Sequence, residues 1–110
     1  MSTEHREFTR APLSGAIRYW DWDRVQQGEA FEISGNGLFL KTRQVLPEGA
    51  HVTLRLELPG QHHGMTVLGR VVRTVQGGIL AVAGMGIRFL DLSPSQRQVI
   101  QTFAESRSAA

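Results

Sequence analysis

Two short patterns in this sequence of 110 residues gather groups that recognise anions and polar ring edges. Arg6-Glu7-Phe8-Thr9-Arg10 sets two arginines four apart, and Glu32-Ile33-Ser34-Gly35-Asn36-Gly37 follows a carboxylate with a hydroxyl and then a glycine. A guanidinium is a rigid fork of donors that suits phosphate oxygens or a guanine edge bidentately. At this arginine content about one RxxxR is expected by chance, whereas the acidic-xSxxG pattern arises by chance in about one such chain in ten or fewer. Their order and separation make the pair more specific than either part. Plainer readings stand beside these: a solvated arm for RxxxR, a simple hairpin turn for Ser34 to Gly37, and a surface ion pair for Glu32.

Other chemistry-bearing residues point nowhere as sharply. His62-His63 sits in a Pro/Gly-bounded loop without a nearby carboxylate or cysteine, which is a poor metal site. Tyr19, Trp20 and Trp22 read as core and rim rather than as a base-stacking platform. No nucleophile elbow and no phosphate-cradling loop accompanies the serines and histidines. The chain therefore reads as a binding module, not an enzyme, with no metal and no cofactor.

Composition is that of one folded domain, with 41% hydrophobic and 20% charged residues. Cysteine is absent, which removes disulfides and thiolate metal sites and fits a reducing compartment. Residues 1–12 lack the apolar core of a signal peptide. The longest uncharged stretch, Thr74 to Ile87, holds four glycines and is too short to cross a bilayer. A cytoplasmic protein without membrane insertion is expected. Lys41 is the single lysine among 12 basic residues, yet the net charge is only +2. A barrel that binds single-stranded nucleic acid through arginine and aromatics would call for more, so no nucleic acid polymer is expected as a partner.

These groups need a frame. Residues 1–12 show no clean period and read as a flexible arm anchored at Phe8. Ala16 to Trp22 alternates, with Ile17, Tyr19 and Asp21 on one face. Gln26-Gln27-Gly28 reads as a turn into a second strand, Ala30 to Ile33, and Gly35-Asn36-Gly37 as a turn tolerant of positive φ, leading into Leu38 to Thr42. Val52, Leu54, Leu56 and Leu58 alternate through His51 to Leu58; Met65 to Val75 is a long strand, and Gln76-Gly77-Gly78 predicts a hairpin into Ile79 to Phe89. Ser93-Pro94-Ser95-Gln96 has a capping-box signature, opening an amphipathic helix to about Glu105, with 106–110 as a frayed tail. The expected fold is mainly β: a six-stranded antiparallel barrel over 13–105, including the C-terminal α-helix.

With this order in place, the sequence resembles the PilZ domain family, whose pattern is RxxxR followed some twenty to thirty residues later by [DN]xSxxG. Gly37-Leu38-Phe39-Leu40 is similar to the strand after that motif, Gly69-Arg70-Val71-Val72-Arg73 to its GxVV strand, and Gly86-Ile87-Arg88-Phe89 to its closing GxxF. The resemblance covers nearly the whole chain and implies that the barrel is of the split-barrel type. It implies a receptor for the bacterial second messenger cyclic di-GMP, relaying the signal to an unidentified effector protein as the arm becomes ordered. It assigns Arg6 and Arg10 to phosphates and guanines, where a bidentate guanine pair is worth about 1–3 kcal/mol of discrimination in DNA. Glu32 would accept from guanine N1–H and N2–H₂, Ser34 would donate, and Gly37 would let the backbone approach the ligand. His5 falls where some members contact ligand, and Arg73 could stack on a guanine. The chain departs from the family at Glu32, where Asp or Asn is the rule, which adds about an ångström or more of side chain. That departure keeps open an alternative: a PilZ-fold protein-interaction adaptor with weak or no cyclic di-GMP binding.

Overall fold

The computed structural model describes residues 11–13, 16–21, 24–59, 64–79 and 82–108. Alternation sets the inward face of each strand, because successive side chains point to opposite sides of a sheet. The strands are β1 (Ala11–Pro12), β2 (Ala16–Asp21), β3 (Arg24–Ser34), β4 (Gly37–Lys41), β5 (His51–Leu56), β6 (Met65–Val75) and β7 (Gly84–Leu90), followed by α1 (Pro94–Ser108). All pairings are antiparallel. The order β3-β2-β5-β6-β7-β4 closes on itself through the β3–β4 hairpin, and β1 lies outside on β3. This is the expected six-stranded antiparallel barrel with its C-terminal helix; closure leaves the ring without unpaired edges.

Ile17 and Tyr19 of β2, Val52, Leu54 and Leu56 of β5, Val67 and Val71 of β6, and Met85, Ile87 and Phe89 of β7 fill the interior. Each large aliphatic or aromatic group so buried contributes about 1.5–3 kcal/mol against exposure. Ile100 and Phe103 of α1 join the same cluster, so the helix seals the barrel instead of standing apart from it. Tyr19 is fully buried and its hydroxyl is satisfied. It donates to the Gln44 carbonyl at 3.0 Å, which leaves Thr42 Oγ1 to donate to it at 2.9 Å.

The capping box is formed as read: Gln96 N–H donates to Ser93 Oγ at 3.1 Å, and Ser93 N–H donates to Gln96 Oε1 at 3.0 Å. The helix continues to Ser108, past the expected end near Glu105. No glycine or proline interrupts Glu105 to Ser108, and the Ser106 hydroxyl donates to the Phe103 carbonyl at 2.9 Å.

Two expected turns are corrected. Gln26-Gln27-Gly28 is the middle of an eleven-residue strand. Gly28 pairs with Ile17, and a Cβ there would stand 2.8 Å from Leu40 Cγ. The glycine admits a core leucine and does not bend the chain. Gln76-Gly77-Gly78 does not open a strand at Ile79 either. The β6–β7 pair closes at Val75 opposite Gly84, and Ile79 is fully exposed. Trp22, His62 and His63 lie outside the described residues.

Candidate functional site

One strand irregularity builds the site. The β3–β4 register shifts between Ala30 and Glu32, a bulge at Phe31 that resets the alternation. Ile33 then points inward, 1% exposed, and Glu32 and Ser34 share the opposite face. A second register shift, between Val71 and Arg73 on β6, leaves both Val72 and Arg73 exposed. The two bulges flank a cleft of about 480 Å³ whose lining includes Glu32, Ser34, Asn36, Gly37, Arg73 and Arg88, within the size range of small-molecule sites.

The hairpin tip at this cleft is fixed from three sides. Ser34 Oγ donates to Asn36 Oδ1 at 2.7 Å; the other acceptor near it, the Gly37 carbonyl at 3.5 Å, is too long to compete for the single hydroxyl hydrogen. The Asn36 carbonyl accepts from Phe89 N–H of β7 at 2.8 Å. Arg97 of α1 reaches across to donate from Nη1 to the Gly35 carbonyl at 2.7 Å. In this state Ser34 holds the shape of the turn, and Asn36 carries the exposed polar group. Among the described residues positive φ occurs at Asp91 and Gly49, so Gly35 and Asn36 turn without it. Gly37 serves close packing, since a Cβ there would collide with the Ile87 carbonyl oxygen.

Aromatic and cationic groups continue the wall. The Arg73 guanidinium lies 5.4 Å from the Phe39 ring centroid, Phe39 meets Phe31 edge-on at 6.2 Å, and Lys41 Nζ stands 5.2 Å from the Phe31 centroid. The cleft thus offers two guanidiniums, one carboxylate and flat apolar surface, a set suited to an anion with planar rings.

Glu32, Ser34, Gly37 and Arg73 therefore line one cleft. His5, Arg6 and Arg10 lie outside the described residues. The first described residues lie beside the cleft, where Ala11 pairs with Ile33 and Pro12 with Glu32. Sequence reasoning missed Arg88, Asn36 and Arg97. Arg88 was findable, because alternation from buried Ile87 and Phe89 turns it outward; nothing local marks Arg97. Among the described residues no cluster of three His, Asp or Glu could hold a metal ion, and no helix is long and apolar enough to cross a membrane.

The PilZ domain family model matches residues 4–106. Among solved structures, that of the Bacillus subtilis inhibitor of motility MotI/DgrA superposes with a TM-score of 0.80 at 14% identity, over 94% of this chain and 51% of that one. This chain thus spans about half of the Bacillus protein. The PilZ domain of YcgR from Escherichia coli with c-di-GMP gives 0.68 at 18% identity, over 93% of this chain and 88% of that one. The PilZ domain of CeSA from a cellulose-synthesizing bacterium gives 0.62 at 14% identity, over 88% and 95%. No curated protein matches the chain.

Proposed function

This chain belongs to the PilZ domain family, and on that footing we propose that it is a cytoplasmic receptor for cyclic di-GMP that signals to a protein partner. The observation that carries the reading is the convergence of Glu32, Ser34, Gly37 and Arg73 on one cleft, with the N-terminal segment joined to β3 directly beside it. The E. coli YcgR PilZ domain, whose fold this chain shares, is one described with c-di-GMP.

In this reading, the ligand's flat guanine lies against the wall made by Phe39 and Arg73. Arg6 and Arg10 close over it from the N-terminal side and take phosphate oxygens and the guanine O6/N7 edge, with His5 at the rim. Glu32 accepts from guanine N1–H and N2–H₂. On binding, the Ser34 hydroxyl exchanges its bond to Asn36 for one to the ligand, or leaves Asn36 to make that contact. The closed segment and barrel present a composite surface that a partner reads. No step of chemistry is required; the work is recognition and ordering.

Glu32 supports a second reading, a PilZ adaptor that has given up tight nucleotide binding. Thermal-shift titration with cyclic di-GMP, beside GTP and cyclic di-AMP, separates the two. A receptor gains melting temperature with cyclic di-GMP alone, and an adaptor responds to none of the three.

A further inference from the structure

The outer wall of β5, β6 and β7 carries charge that runs on beyond the cleft. His51 stands opposite Arg70, and Arg70 opposite Arg88; all three are exposed. Residues facing each other in an antiparallel pair have Cβ atoms about 4.5–5.5 Å apart, and like charges there destabilise the sheet. Among the described residues no hydrogen bond or ion pair engages either arginine. The carboxylates that flank these strands, Glu48 before β5 and Asp91 after β7, make no ion pair with them. On the same outward face of β6, Leu68 and Val72 bracket Arg70, each 49% exposed.

Two uncompensated guanidiniums one interstrand spacing apart, set between exposed aliphatic groups, fit a partner with paired carboxylates on a partly apolar surface. Residues i and i+4 of an α-helix carry Cβ atoms about 5–6 Å apart, which matches the Arg70–Arg88 separation. A phosphate polymer would ask for a longer basic tract, and the aliphatic flanks would gain nothing from it. We propose that this face docks an acidic amphipathic helix of a partner protein, with Arg70 and Arg88 each pairing a carboxylate and Leu68 and Val72 packing beside them. Arg88 also lines the cleft, so the strip starts where the nucleotide site ends. The strip does not depend on the receptor reading and stands if that reading fails.

The test uses an alanine-based helical peptide of about twenty residues, bearing Glu at i and i+4 and Leu on the same face. A counterpart with Gln for Glu and, separately, vesicles containing anionic lipid complete the set. The Glu peptide binds at low salt and shifts the amide resonances of Leu68, Arg70, Val72 and Arg88, while the Gln peptide binds at least about tenfold more weakly. Arg70→Glu abolishes and Arg70→Gln weakens peptide binding, yet both variants melt no lower than the parent, because the opposed charges are gone. Both keep whatever cyclic di-GMP response the parent has, which separates this result from failure of the receptor reading. Equal binding of the two peptides, unchanged binding by both variants, a lowered melting temperature in both, or binding to the vesicles alone would overturn the proposal.

Discussion

Ser34 and Gly37 belong to the same motif and do different work. Ser34 shapes the hairpin tip through Asn36, whereas Gly37 lets β4 and β7 approach until no Cβ fits against the Ile87 carbonyl. Because that obstacle is backbone, Gly37→Ala cannot be absorbed by a rotamer change. It should cost about 1–3 kcal/mol, read by thermal melting as a loss of about 4–8 °C per kcal/mol for a domain near this size. Glu32 raises the opposite question, since its extra methylene sets the reach of its carboxylate. Glu32→Asp should tighten cyclic di-GMP binding by about 1 kcal/mol, roughly fivefold, in a calorimetric titration. Absence of binding in both forms would favour the adaptor. That Glu32, Ser34 and Gly37 would lie close together was legible because one short motif holds all three. The place of Arg97 was not, since its contact with Gly35 spans the length from helix to hairpin and leaves no local trace.

At the scale of elements, α1 does more than cap the core. Its first turn is held by the Ser93–Gln96 box, and the next residue, Arg97, grips the hairpin tip. Ser93→Ala should therefore cost about 1 kcal/mol of stability. Amide exchange at Gly35 and Asn36 should rise with it, beyond any change in the distant β5–β6 pair. Unchanged exchange at the tip would separate the cap from the site. The helix start and the bounds of β6 were legible because they rest on local chemistry: a side-chain cap and a run of alternation. The β2–β3 turn was misread because Gly28 is demanded by Leu40, a residue of another strand. The bulges at Phe31 and Val72, which aim Glu32 and Arg73, arise from pairing between strands, so neither strand alone announces them.

Across the whole molecule, the closed barrel gathers its two strand irregularities around one cleft. There the β3–β4 tip, the bulged part of β6 and the middle of β7 meet, and β1 pairs with β3 alongside. Glu32, Ser34, Gly37 and Arg73 thus sit on paired strands and the hairpin between them. The architecture was readable because six runs of inward-facing apolar residues admit few closed arrangements. The place of β1 beside the second motif was not, since only folding shows that Ala11 pairs with Ile33. The most direct test is calorimetric titration of cyclic di-GMP into the intact chain, Arg6→Ala and Arg10→Ala. The account predicts saturable binding by the parent and a loss of about 1.5–3 kcal/mol in each variant, roughly ten- to 150-fold. Parental affinity in both variants, or no heat from the parent at about millimolar nucleotide, would contradict it.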